Sequence, residues 1–395
     1  MDQSLNRYPA ALPETIQSFL ARRPYAALYR APGRINIIGE HTDYNEGWVL
    51  PAASHLQLWF AVEPADVPEW RIKAGRFGDT AALPLADCLI HLDHWSRFPA
   101  AVIHTAAAHQ LPVSGLDIVF DGDLPIGAGL SSSSALTCGL LFILNDQMGW
   151  GLDLLKLAHL ARESEQRTGV RGGIMDQYCI FHARENHALL LDCRSVESRL
   201  IQLSASDWAW TIFDSGITHD LVSSPYNARR ASCERVVQQA KQQGLPVTAL
   251  RDLSPDDLDR ISPQLDPLDT RRAAFVLAEN SRVHQMVHAL DKDDFLAAGR
   301  LLTQSHEGLS HQYEVSCPEV DFIVTRLIGT EGVAGARIMG AGFGGSVLAL
   351  IKKDAFSSTY TAVKKDYLAA FGIELTGMAV AFGHGASREI QRLPQ

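Results

Sequence analysis

Arg34, Glu40, His41 and Asp43 lie together in one short segment, Arg34-Ile35-Asn36-Ile37-Ile38-Gly39-Glu40-His41-Thr42-Asp43-Tyr44. Carboxylates of short reach suit the hydroxyls of a small polar molecule, and a guanidinium suits a phosphate or a carboxylate. Burying so many polar groups beside Ile35, Ile37 and Ile38 is costly unless each has a partner. These residue types therefore point to a sugar-like ligand, with Thr42 in the same loop. A capped, salt-bridged turn is the competing reading.

A second segment, Leu124-Pro-Ile-Gly127-Ala128-Gly129-Leu130-Ser131-Ser132-Ser133-Ser134-Ala135, separates a strand-like run (116–120) from an apolar run of helical length. A glycine turn feeding a helix N-terminus presents unpaired N–H groups and the positive end of the helix dipole to an anion. The serines can cap the helix, donate to phosphate oxygens or ligate magnesium. No lysine follows the glycines, which excludes a P-loop. A Ser-capped helix without a ligand is the alternative.

The third segment, Gly340-Ala341-Gly342-Phe343-Gly344-Gly345-Ser346, matches G-x-G-x-x-G letter for letter. A dinucleotide fingerprint needs a helix after the glycines and an acidic residue about 20 positions on. Here the short apolar run Val347-Leu-Ala-Leu-Ile351 follows, so the spacing predicts a strand-to-strand hairpin.

In this order and spacing the three segments resemble the motifs of the GHMP small-molecule kinases, and the first resembles the galactokinase branch. Gly173-Ile-Met-Asp176-Gln177, Leu189-Leu-Leu-Asp-Cys-Arg194, Ser224-Pro-Tyr226-Asn227-Ala-Arg229-Arg230 and Tyr313-Glu-Val-Ser-Cys-Pro318 agree, so the likeness runs from about Tyr29 to Ala381. It implies an α+β fold of two lobes with the active site in the cleft between them, and transfer of a phosphoryl group from ATP to the anomeric hydroxyl of galactose. By resemblance, Gly127, Ala128, Gly129, Leu130, Ser131, Ser132 and Ser133 would cradle the nucleotide, and Ser133 with Glu165 would hold Mg²⁺. The stretch from Glu163 to Gly169 is shorter than the family pattern, which leaves Glu163 as the alternative ligand. Asp176 would be the catalytic base, with Arg34 beside it fixing its orientation and stabilising charge on the transferring phosphoryl group. Sugar contacts would come from Glu40, His41, Thr42, Asp43, Gly173 and Tyr226. Gly172, Ala341 and Ser346 depart from the galactokinase pattern, so a kinase for a related sugar or derivative stays open; a non-catalytic sugar sensor is a separate alternative, against which the intact Ser133, Asp176 and Arg34 argue.

The elements that must position these groups are legible in outline. Strand-like runs at 26–30, 56–62, 116–120 and 188–192 alternate with helices near 97–110, 134–148 and 152–166. The second half is richer in helix, at 228–243, 270–290, 294–308 and 355–371, with strands at 335–339, 346–351 and 374–382. A chain of 395 residues exceeds a comfortable single core, so the expected lobes are 1–205 and 206–395.

A net charge of −10 argues against nucleic acid, which needs clustered Lys and Arg. The first 25 residues carry Arg22 and Arg23 without a leader-like apolar stretch, and no apolar run is long enough for a membrane span. Six scattered cysteines with no C-x-x-C pair read as free thiols in a reducing cytoplasm.

Overall fold

The computed structural model describes residues 12–86, 88–91, 94–203, 207–218 and 225–389. The expected lobe boundary near residue 205, Ser224, and residues 1–11 of the segment read for a leader lie outside them.

Among the described residues, three sheets carry the structure. The largest has six strands in the order Ser387–Glu389, Ala27–Asn36, Pro51–Pro64, Leu116–Gly122, Glu69–Ala74 and Asp79–Pro84. All its pairings are antiparallel except that of Glu69–Ala74 with Leu116–Gly122. Pro51–Pro64 is central and buried on both faces, which explains its nearly continuous apolar sequence. Glu69–Ala74 alternates, with Trp70, Ile72 and Ala74 buried and Arg71 and Lys73 exposed, as a half-covered strand should. A four-stranded sheet runs Val333–Ile338, Ser346–Lys352, Trp208–Asp214 and Thr376–Ala379. The third is short: Trp48–Val49, His187–Asp192 and Glu197–Gln202. The chain's last described strand, Ser387–Glu389, returns to pair with Ala27–Asn36, so the C-terminal segment does not stay with its own half of the sequence.

One hydrophobic core gathers Ile35, Phe60, Ala135, Leu140 and Leu144, where the helix Ser132–Gln147 packs against the large sheet. A second gathers Phe275, Tyr313, Ile338 and Tyr367 around the four-stranded sheet. The helix Leu154–Arg167 starts at Asp153, whose carboxylate accepts from Lys156 N at 2.7 Å. The helix Pro267–Asp291 starts at Asp266 with proline in its first position, where a missing N–H costs nothing. Every helix expected from periodicity is present, with ends shifted by a few residues. Helices Glu14–Arg22, Met175–His182, Pro255–Ile261 and Pro318–Ile328, the hairpin Glu69–Ala74/Asp79–Pro84, and strands Trp48–Val49, Glu197–Gln202, Trp208–Asp214 and Ser387–Glu389 are not among the expected elements. The six cysteines are free thiols. Among the described residues, no helix is long and apolar enough to cross a membrane.

Candidate active site

A cavity of about 600 Å³ opens between the first segment, the serine loop and the third glycine loop. The strand Ala27–Asn36 shifts register between Pro32 and Arg34, a bulge of the kind that re-aims a side chain. Arg34 N donates to Leu130 O at 3.0 Å, fastening the strand to the serine loop. The Arg34 guanidinium grips Asp176 with two parallel bonds, Nε to Oδ1 at 2.6 Å and Nη2 to Oδ2 at 2.9 Å, while Nη1 donates to Gly129 O at 2.8 Å. Burial works against the Arg34 charge, but pairing with Asp176 outweighs it and holds the guanidinium above its ordinary pKa.

Ser131 departs from its expected capping role. It precedes the helix Ser132–Gln147 with a left-handed backbone and makes no side-chain cap; its hydroxyl donates to Asp176 Oδ2 instead. The helix N-terminus is thus left without a side-chain cap, facing the cavity, which is what an anion site requires. Gly129 and Gly340 make the loop contact possible. A Cβ on Gly129 would lie 2.8 Å from Met339 O, and one on Gly340 would lie 3.1 Å from Gly129 Cα. Gly127, Gly129, Leu130, Ser131, Ser132, Ser133 and Ser134 line the cavity, whereas Ala128 is buried behind them. Ala128 is therefore a packing residue of the loop rather than part of its wall.

The third segment is a hairpin turn, as its following apolar run predicts: Ile338 pairs with Val347 and Met339 N donates to Ser346 O at 2.9 Å. Its positive-φ residues, Gly340, Gly342, Phe343 and Gly345 among them, fold it against the serine loop.

Asp43 opens the 3₁₀ turn Asp43–Asn45, and its Oδ1 accepts from Tyr44 N at 2.8 Å. Gly173 sits against it so closely that a Cβ there would fall 2.2 Å from Asp43 Oδ2; only glycine fits. Burial, then the neighbouring Asp176 charge, pushes the Asp43 carboxyl up to about 6. Burial likewise pushes His41 down to about 4, so its imidazole is neutral at physiological pH. His41 Nδ1 pairs with Tyr44 Oη at 2.9 Å, and its ring stands among those of Tyr44, Tyr226 and Tyr313. His41 Nε2 is buried with no side-chain partner and the residue lines the cavity.

Two expected sugar contacts sit differently. Thr42 does not line the cavity. It is fully buried, and its hydroxyl lies 2.8 Å from Gly39 O and 2.7 Å from Trp48 O, so it braces the loop. Glu40 reaches the cavity wall but is already bound on both oxygens, to Arg337, Gly340 N and Asn36. Supports from the second half of the chain carried no local signal. Gly39 N donates to Glu279 Oε1 at 3.0 Å and Trp48 N to Asn280 Oδ1 at 2.8 Å, both from the helix Pro267–Asp291.

Glu165 and Glu163 are separated by the geometry. Glu165 lines the cavity, accepting from Ser134 Oγ at 3.0 Å and Gln177 Nε2 at 2.8 Å. Burial, with Asp176 adding to it, pushes its carboxyl up to about 7. Glu163 is more than a third exposed and paired with His109 and Arg167, away from the cavity. Beyond the serine loop the wall is mainly apolar, with Leu58, Trp95, Phe98, Phe120 and Ile126, and with Arg97 among them.

Three family signatures match in chain order: the galactokinase galactose-binding signature over residues 17–64, the GHMP kinases N terminal domain over 97–184, and the GHMP kinases C terminal over 286–369. A galactokinase of Thermotoga maritima is 39% identical over 347 residues, covering 88% of this chain and 95% of the relative. The chain belongs to the galactokinase family. A galactokinase of Clostridium beijerinckii is 32% identical over 92% of this chain and 94% of its own. The crystal structure of Lactococcus lactis galactokinase complexed with galactose superposes with a TM-score of 0.90 at 27% identity, covering 95% of this chain and 99% of that one. The family's GHMP kinase fold, with mixed helices and sheets, is the fold observed.

Proposed function

We propose that this protein transfers the γ-phosphoryl group of ATP to the anomeric hydroxyl of galactose, giving galactose 1-phosphate and ADP. The observation that carries the reading is the Arg34–Asp176–Ser131 constellation, held between an uncapped helix N-terminus and the Asp43 turn. Phosphoryl transfer is mainly positioning and charge stabilisation, and each part has a candidate. The N–H groups of the serine loop and helix would bind phosphate oxygens, and the apolar wall around Trp95 and Phe98 would take the base. Asp43, His41, Tyr226 and the Gly173 backbone would orient the sugar. Asp176 Oδ1, which carries only one of the three bonds to this carboxylate, keeps acceptor capacity for the hydroxyl proton. Arg34 would hold that carboxylate in place and offset charge building on the phosphoryl oxygens.

Ser133 and Glu165, which both line the cavity, would hold Mg²⁺. No cluster of three or more His, Cys, Asp or Glu able to hold a metal occurs among the described residues. Magnesium commonly takes one or two carboxylates and completes its shell with phosphates and water. Once bound, the ion would neutralise phosphate charge. Ser133→Ala should therefore weaken the Mg²⁺ dependence of the rate and lower turnover while galactose affinity stays within about twofold, because the hydroxyl serves the phosphate end alone. Titrating Mg²⁺ against initial rate checks this; an unchanged curve assigns the metal elsewhere.

Because the Asp43 pKa is raised, the carboxyl is protonated below about pH 6 and loses its charged acceptor. Galactose affinity measured by calorimetry should fall as pH drops through 6, and Asp43→Asn should flatten that limb. A limb that persists in the variant would give the titration to another group.

A second reading, a kinase for a substituted hexose, draws on Gly172, where a Cβ would meet only Tyr226 Oη, at 4.0 Å. Coupled ADP release across a panel of free sugars separates the two. Galactose giving the highest kcat/KM supports the main reading; a substituted hexose giving it supports the second.

A further inference from the structure

Arg337 has no part in the chemistry above, yet it is completely buried in the strand Val333–Ile338. Its guanidinium donates through Nε to Ile37 O at 2.9 Å, through Nη1 to Ile338 O at 2.7 Å, and through Nη2 to Asn36 O and to Glu40 Oε1 at 3.0 Å. Glu40, itself buried, accepts through the same Oε1 from Gly340 N at 2.8 Å, and through Oε2 from Asn36 Nδ2 at 2.5 Å. One ion pair thus ties together the segment bearing the sugar-side residues, the strand bearing Arg337, and the first glycine of the hairpin loop against the serine loop.

A buried charge persists only while it is paired and hydrogen-bonded, so neither loop can move there without disturbing the other. Both loops line the same cavity. We propose that the Arg337–Glu40 pair is a positioning device that couples the sugar and nucleotide subsites, so that filling either one seats the loop of the other. The inference rests on the assignment of those subsites made above. Lysine at this position keeps the charge, but a single ammonium cannot serve all the acceptors that the planar fork serves.

Calorimetry tests the coupling. In the wild-type protein, a nonhydrolysable ATP analogue with Mg²⁺ should tighten galactose binding by about fivefold or more, and linkage requires galactose to tighten the analogue by the same factor. Arg337→Lys should still bind each ligand alone, with the factor falling below about twofold. A residue that merely holds the fold would weaken both ligands and leave the ratio unchanged. A wild-type factor of one, or the full factor kept in the variant, overturns the proposal. Amide exchange in the wild-type protein decides the matter should the variant not fold. The analogue alone should slow exchange across residues 36–43, and protection confined to 127–133 and 340–345 overturns the coupling. Wild-type protein that binds the analogue but no galactose would instead refute the sugar assignment, and the exchange result would still report on the coupling.

Discussion

Replacing Asp176 with asparagine is expected to leave a folded protein whose turnover falls by about 10²- to 10⁴-fold, the usual loss when a general base is removed. The amide keeps the shape and one acceptor oxygen, so part of the Arg34 grip survives. It cannot take a proton from the sugar hydroxyl. Unfolding curves and galactose calorimetry on the same preparation separate loss of chemistry from loss of structure. A purified variant turning over near the wild-type rate would remove Asp176 from the role of base and leave Arg34 and the helix N-terminus to account for the catalysis.

Asp43→Ala should raise the KM for galactose by about 10- to 150-fold for each hydrogen bond lost, since a bond to a charged group contributes roughly 1.5–3 kcal/mol and each 1.4 kcal/mol is tenfold. Its carboxylate is fixed by the Tyr44 amide and by the absence of a side chain at Gly173, so little entropy is spent in aiming it. The KM for ATP should change little. If both constants rose together, Asp43 would be a brace for the turn. If neither moved, the sugar would lie elsewhere and the most specific segment of the chain would have been misread.

What could be read from the sequence was the chemistry carried on contiguous segments. Arg34, Asp43 and the serine loop each sit in a run whose neighbours announce it, and the hairpin after Gly340 followed from the apolar run at 347–351. The hairpin of Glu69–Ala74 was readable too, since Trp70, Ile72 and Ala74 alternate with exposed Arg71 and Lys73, but it lies apart from every motif. Arg337 and Glu279 were not readable. Each touches the first segment across more than 200 residues of chain, and nothing local marks a buried arginine or glutamate as paired. The role of Ser131 was hidden for a different reason: a serine before a helix suggests a cap, and only the proximity of Asp176 diverts its hydroxyl. Thr42 was drawn in by its neighbours, though its side chain points back to Gly39 and Trp48. Glu165 was separated from Glu163 only by the turn of the helix, which puts one in the cavity and the other beside His109 and Arg167.

Identifying the product tests the proposed reaction most directly. With galactose labelled with carbon-13 at the anomeric position, ATP and Mg²⁺, a phosphosugar should form in step with ADP, its labelled carbon coupled to phosphorus in the carbon spectrum. The Asp176→Asn protein should form that species at a rate lower by about 10²- to 10⁴-fold. ADP released without phosphorus coupling at the labelled carbon, or a phosphate carried on any other position of the ring, would contradict that reaction.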